Sequence, residues 1–492
     1  MSGGGFLLVL ALMLPAAGIL AMFALPMRAP ERIAFLVYPP TLAVMVGIAI
    51  LVGRSGAAMS YALGGWLPPL GLMLRADGAA AALMVMSAIL LGLVGLSACA
   101  QFRTPDGQRE ARQPFAFWAL LLALWSALNL VFLAQDLFTL FVALELLTFA
   151  AVPLVCLNGK ADTLQAALRY LLFALIGSAF YLIGVALLYG TYGRLDFAML
   201  RAVVRDDFAT SAAIALMIGG LMAKTAVFPV HLWLPPAHAG APAPASAVLS
   251  ALVIKAPFFL IVRLWFDLLP AHGALAANML AVLGAASILF CSVLALRQVR
   301  LKLMIAYSTV AQVGYLFLMF PLAAGNAPFE TLAWSGGLMQ LASHAFAKAA
   351  MFVAAGLIME ALGHDRIDDL AGAAKAAPVS VFAFALAGLS LMGLPPSGGF
   401  NAKVMLINAS VMLEQWWIAA TILAGGILAA GYVFRVVGRA MADAADGVAL
   451  QRIPRSREAV PLALALCALA IGFVPLQPLA FLGIGRAAGI TP

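Results

Sequence analysis

Apolar runs of roughly 20 residues follow one another along the whole chain, separated by short polar stretches. Each is long enough to cross a hydrocarbon core ~30 Å thick as a helix. The pattern predicts about fourteen spans, at residues 5–26, 32–53, 77–101, 114–134, 137–157, 165–189, 210–228, 242–266, 274–296, 303–322, 332–360, 377–394, 415–438 and 459–484. The first run is too long for a signal-peptide core and lacks a clean small-residue cleavage site, so it is expected to be the first helix. Two stretches interrupt the pattern. Residues 229–241 contain Pro229, Pro235, Pro236 and Gly240 between two runs. Residues 393–400 read Gly-Leu-Pro-Pro-Ser-Gly-Gly-Phe, and apolar sequence then continues to about Leu413. Proline and glycine at membrane depth predict broken helices, tolerated where they are buried in protein or line a wet cavity.

Composition agrees with an all-α polytopic membrane protein. Apolar residues make up 65% of the 492 positions and charged residues 10%, against about 25% charged in a soluble domain. The formal charge of +8 is explained by sorting across the membrane. Loops after odd-numbered runs hold most of the Lys and Arg, including Arg28, Arg109, Arg297, Arg300, Lys302 and Arg457. By the positive-inside rule these loops face the cytoplasm and both termini face the periplasm, in a bacterial inner membrane. That distribution removes nucleic acid as a partner. The four cysteines, Cys99, Cys156, Cys291 and Cys467, are scattered singly in apolar sequence. Such spacing suits neither a metal site nor an iron–sulfur cluster, so packing residues are expected, with no cofactor and no metal.

A few charges remain where a membrane protein should have none. Lys224, Lys255, Lys348 and Glu145 lie inside apolar runs, Lys403 follows the second break, and Arg263 sits near the end of a run. Each costs roughly 2.5–3.5 kcal/mol at a helix centre. Arg263 is expected to snorkel to the interface; the others are expected to face the bundle interior and answer one another. Desolvation disfavours an ammonium and a nearby carboxylate restores it, so a buried Lys–Glu pair can load and release a proton as the two part or meet. Linked by water, such groups form a proton relay. His344 and Lys348 are four residues apart and share a helix face, with Gln340 one turn earlier. His231 and His238 flank the first break and are weaker candidates, since a lone histidine is often only a packing residue. Tyr307, Ser308, Thr309 and Gln312 are read as helix-packing groups.

These residues carry a resemblance. AKTAVFPVHLWLPPAH at 223–238, followed by APAPASAVLSALVIKAPFFLIVRL, resembles the signature of the antiporter-like subunits. That family includes the D subunit of Mrp-type sodium/proton antiporters and the large proton-pumping subunits of complex I and membrane-bound hydrogenases. FLAQDLFTLFVALELL around Glu145, LKLMIAYSTVAQVGY at 301–315, SHAFAKAAMFVAAG at 343–356 and GLPPSGGFNAKVMLI at 393–407 extend it in the family's order. The resemblance implies fourteen helices with two inverted five-helix repeats, each containing a broken helix. The corresponding segments are 1–113 (three helices), 114–270 and 271–440 (the repeats) and 441–492 (last loop and helix). It implies that Glu145 and Lys224 form a switching pair, that Lys255 is a central relay, that His344 and Lys348 connect the halves, and that Lys403 is the terminal proton site. Other membrane subunits are the implied partners and H⁺ the implied cargo, with Na⁺ or K⁺ as the exchanged ion left open. Within the family, ALLYGTYGRLDFAML at 186–200 and YALGGWLPPLGLMLRADG at 61–78 look more like Mrp D. A complex I-like or hydrogenase subunit is the alternative; in either case no redox chemistry is expected of this chain itself.

Rival classes fit less well. A sugar-type solute carrier should show midplane aromatics and few lysines, and a haem- or cluster-bearing redox enzyme should show paired histidines or clustered cysteines. A structural scaffold gives no reason to keep Glu145 and four lysines in apolar helices.

Overall fold

The structure, a computed structural model, describes residues 4–25, 29–105, 111–269, 273–324, 327–444, 450–474 and 480–486. Arg28, Arg109, residue 26 of the first expected span, residues 475–479 of the last and the expected segment boundary at 270–271 lie outside the described residues.

The elements in order are α1 (Phe6–Ala24), α2 (Pro30–Ser55), a hairpin of β1 (Met59–Ala62) and β2 (Met73–Ala76), α3 (Gly78–Ala98), α4 (Arg112–Leu133), α5 (Leu137–Val155) and α6 (Ala161–Tyr192). There follow α7 (Phe197–Arg201), α8 (Phe208–Thr225), α9 (Leu234–Gly240), α10 (Ala243–Val248), α11 (Lys255–Arg263), α12 (Ala274–Leu296), α13 (Leu301–Phe317) and α14 (Pro328–Leu362). The chain closes with α15 (Ala373–Ala376), α16 (Pro378–Met392), α17 (Gly398–Met412), α18 (Trp416–Met441), α19 (Arg455–Ala470) and α20 (Ala480–Gly483). The two strands pair antiparallel, Met59 opposite Ala76 and Ala62 opposite Met73.

Among the described residues twelve helical segments are long and apolar enough to cross a membrane. The expected spans 303–322 and 377–394 are realised as the shorter apolar helices α13 and α16. Helix α16 stops because Gly393 turns left-handed at φ 82°, and α17 restarts where the Ser397 hydroxyl accepts the Phe400 N–H at 3.2 Å. The first break opens at Ala226, left-handed at φ 59°, and its backbone is held by the Trp233 indole, which donates to the Ala223 carbonyl at 2.9 Å. Asp77, Asp136 and Asp207 cap α3, α5 and α8 by accepting N–H groups three residues on.

The run 242–266, read from sequence as one span, contains two π-helical turns, Leu249–Val253 and Leu264–Leu268, on either side of α11. Pro257 lacks an N–H and its ring would crowd the carbonyl four residues back, which favours a widened turn just before it. This segment is wholly enclosed by the rest of the chain. Large side chains such as Leu36, Leu172 and Ile427, at 76%, 61% and 74% exposure, instead cover the outer surface, as a bilayer-facing wall requires.

Glycine lets the helices of this bundle touch backbone to backbone. A Cβ at Gly220 of α8 would stand 2.2 Å from the Gly177 carbonyl oxygen of α6, and one at Gly314 of α13 would stand 2.3 Å from that of Gly284 in α12. Gly219, one residue earlier, has open space around it. Gly220→Leu is therefore expected to destabilise the folded protein by at least about 1–3 kcal/mol, whereas Gly219→Leu leaves the detergent-solubilised melting temperature within experimental scatter. Equal melting of both variants would contradict the close α6–α8 contact.

Candidate functional site

Glu145 lies midway along α5 and Lys224 in the last turn of α8, where the chain is about to break. The Lys224 ammonium is 3.0 Å from Glu145 Oε1 and 2.9 Å from the hydroxyl of Thr148. Thr148 follows Glu145 by three residues, so both project from one face of α5. The Ser178 hydroxyl of α6 donates to the same carboxylate oxygen. Three helices thus converge on one ion pair, with every contact to Glu145 on Oε1 and its side chain 15% exposed.

The other buried lysines meet neutral oxygens. Lys255, 2% exposed, donates to the Ser250 carbonyl within the π turn. Lys348 of α14 bonds the Ser308 hydroxyl and, at 3.3 Å, the Ile305 carbonyl of α13. Lys403 of α17 donates to the Leu391 carbonyl at 2.6 Å, in the last turn of α16, with the Tyr315 ring 4.4 Å from its ammonium. That same carbonyl accepts from Gln312 at 3.1 Å, and Gln312 in turn accepts from Gln340 at 3.0 Å. Broken and widened turns expose carbonyl oxygens that a regular helix would occupy, and Lys255 and Lys403 take them.

Two histidines sit between these lysines. His344, one turn before Lys348, lies within electrostatic reach of Lys255, Lys348 and Lys403. His238 of α9 lies within reach of Lys255 and Lys302. Both are 1% exposed; the ring of His238 faces the backbone of Leu234 and Leu249, whereas both ring nitrogens of His344 lack a hydrogen-bond partner among the described residues. Buried imidazoles without protein partners are the usual lodging of ordered internal water. His231 sits in the break itself, 3% exposed and stacked on Phe228 with ring centroids 5.6 Å apart.

Sequence pattern misjudged several residues around this row. Ser308 and Gln312, read as packing groups, accept hydrogen bonds from Lys348 and Gln340. Lys302, counted among the loop charges, is 4% exposed and donates to the Ala241 carbonyl in the link between α9 and α10. It lines a cavity of about 620 Å³ that reaches inward from the face bearing the basic loops. Arg263 does not snorkel: it pairs with Asp77 and, at 3.0 Å, with Asp267 one turn along the same segment. Asp77 lies 186 residues earlier in the chain, so apolar periodicity gave no hint of the pairing. Glu458 of α19, wholly buried, accepts the Ser380 N–H at 2.7 Å in the first turn of α16, a carboxylate placed at a helix N-terminus from a neighbouring helix.

A bundle of apolar helices holding a buried row of titratable groups, with helices broken beside it, defines a polytopic membrane protein equipped for ion transfer. Residues 134–429 match the family described as NADH:quinone oxidoreductase/Mrp antiporter, TM, and the chain belongs to that family of antiporter-like membrane subunits. It is 35% identical over 459 residues to the NADH-quinone oxidoreductase subunit N of Desulforudis audaxviator, covering 90% of this chain and 87% of that one. With the D subunit of the Na(+)/H(+) antiporter of Alkalihalophilus pseudofirmus it shares 32% identity over 393 residues, 79% of this chain and 76% of that one. Its fold resembles a chain of the Mrp complex from Dietzia sp., with a TM-score of 0.88, 24% identity and coverage of 98% and 97% of the two chains.

The Arg263 cluster yields a stability test. Asp77→Asn keeps a capping side chain but leaves Arg263 with one carboxylate, and is expected to cost about 3 kcal/mol as a broken buried pair. Asp369→Asn, which removes the exposed Arg366 pair, should barely move the melting temperature. A reversed ranking would show that the buried pair is not holding α3 to the end of this segment.

Proposed function

We propose that the chain moves protons across the membrane through Glu145, Lys224, Lys255, His344, Lys348 and Lys403, with His238 and His231 on the entry side, as one subunit of a multisubunit cation/proton antiporter. The observation that carries this reading is the buried row itself: four lysines and one glutamate among apolar helices, with two buried histidines between them, one of which, His344, has no hydrogen-bond partner among the described residues. A purely structural charge would be paired once and left alone. A row in which each ammonium has only weak or switchable partners is what proton hopping requires.

In this reading Lys224 exchanges its proton as it approaches or leaves Glu145, Lys255 passes charge toward His344, and Lys403 delivers it at the second break. The cavity at Lys302 supplies water from the basic-loop face, which by the positive-inside rule is the cytoplasm. The chain then sits in a bacterial inner membrane with both termini on the other side. The fourteen-helix arrangement belongs to the same reading, with repeats at 114–270 and 271–440 flanked by 1–113 and 441–492. In it the breaks after α8 and after α16 are the matching discontinuous helices of two inverted repeats. Na⁺ or K⁺ would be the exchanged ion, supplied with a path by neighbouring subunits.

A second reading has its own support. The NADH-quinone oxidoreductase subunit N relative aligns along more of this chain than the antiporter relative does. The same row would then be driven by a redox arm. Gentle purification from native membranes separates the two. Small membrane subunits without flavin or iron–sulfur proteins mark an antiporter; co-purifying flavin or iron–sulfur subunits mark a redox-driven pump.

Three substitutions test the row under either engine. Lys224→Ala and Glu145→Gln are each expected to reduce proton flux in reconstituted vesicles at least about tenfold while assembly persists, because each removes half of the only buried ion pair joining α5 to α8 among the described residues. Wild-type flux in either variant would remove that pair from the mechanism. Lys403→Arg keeps the positive charge but presents a guanidinium that does not release protons, so flux should fall while melting temperature holds. Full flux would reduce Lys403 to a fixed charge.

A further inference from the structure

We propose that the basic-loop face also holds one anionic phospholipid, its phosphate at the mouth of the 620 Å³ cavity and an acyl chain in an adjoining groove between α3 and α19. This binding site shares the cavity that the transport reading uses for water, but the lipid contacts do not depend on that reading.

Four cations line the cavity, Lys160, Arg300, Lys302 and Arg457, against two carboxylates, Asp162 and Glu360. The charges are not all spent internally. Arg300 pairs with Asp365 at 2.8 Å, and Arg457 holds both oxygens of Glu360. Lys160 makes no ion pair among the described residues. A guanidinium has five N–H donors and Glu360 takes two, so Arg457 retains donors for a phosphate oxygen.

A second hollow of about 390 Å³ shares Ser97, Leu357 and Arg457 with the first. The rest of its wall is almost entirely apolar, with Leu93 and Leu96 from α3 and Val460 and Ala463 from α19. Leu96 is 53% exposed, so the groove opens on the bilayer side of the bundle. An apolar channel that runs from the membrane to a cationic pocket, with an arginine at the junction, matches an amphiphile with a phosphate head. Basic pockets between membrane helices on the positively charged face recognise anionic headgroups in this way. A free phosphate would have no use for the groove, and an apolar partner helix would leave Lys160 and Arg457 facing hydrocarbon.

The test uses the protein purified in its native assembly, stripped of lipid, and titrated with phosphatidylglycerol, phosphatidylcholine or inorganic phosphate while the melting temperature is followed. Bound lipid is counted by mass spectrometry. Phosphatidylglycerol should raise the melting temperature and remain bound at about one per chain, and the other two should do neither. Lys160→Gln with Arg457→Gln should lower retention about tenfold, as expected for losing two cations near a lipid phosphate. Ala463→Trp, which fills the groove and leaves every charge in place, should lower it similarly. An equal response to phosphatidylcholine or to inorganic phosphate overturns the proposal, as does full lipid retention by Ala463→Trp. If the double variant shows no melting transition of its own, Lys160→Gln alone, at an exposed position, and Ala463→Trp decide the matter by the same criteria.

Discussion

An ammonium group taken out of water must find oxygen atoms to replace its hydration shell, and the centre of this molecule is arranged around that need. Lys224 is the one buried lysine that meets a carboxylate among the described residues. Three others obtain oxygen where helical geometry fails, Lys255 at a π turn, Lys403 at the end of α16 and Lys302 at the link between α9 and α10, while Lys348 bonds a serine hydroxyl and a carbonyl within α13. The breaks in the helices and the charges in the membrane therefore have a common cause. A regular bundle would have occupied most carbonyls in its own ladder and left Lys255, Lys302 and Lys403 without these partners.

The same arrangement holds the row loosely, as the proposed relay needs. A carbonyl oxygen stabilises an ammonium less than a carboxylate does, and a neutral lysine can still stay beside it. Lys255, Lys348 and Lys403 can thus exist in either protonation state without leaving an uncompensated opposite charge behind. Only at Lys224 does loss of the proton strand a carboxylate, and there the Ser178 hydroxyl donates to Glu145, while Thr148, whose hydroxyl donates to the Leu144 carbonyl, accepts from Lys224. The end of the row nearest α5 is accordingly the one where charge movement must be tied to movement of side chains.

How far the sequence alone could be read follows from the range of each interaction. Membrane class, the two breaks and the charges Glu145, Lys224, Lys255, Lys348 and Lys403 were all visible, because a charge or a Pro-Pro pair in an apolar run stands out locally. The pairing of Arg263 with Asp77 was not, since its partner caps a helix 186 residues away. Lys302 follows Arg300 by two residues and looked like the same loop, and only the burial of the first turn of α13 separates them. Ser308 misled for a subtler reason. Its hydroxyl does bond its own helix, at the Ile305 carbonyl, as a packing serine would, and also receives Lys348. The π turn before Lys255 left no mark beyond Pro257, which apolar periodicity runs straight through.

Helix α14 extends over 35 residues with no proline after its first position, which makes it about 52 Å long against a hydrocarbon thickness of ~30 Å. It carries His344 and Lys348 within the bilayer and Glu360 near its far end, where the carboxylate grips Arg457 of α19. A stiff rod of that length acts as a lever. A sideways push on the outer turns reaches the middle of the rod as a proportionate tilt, with no need to break a bond along the way. A tilt imposed where Glu360 holds α19 would move His344 and Lys348 together against the groups facing them on neighbouring helices, such as Ser308 of α13.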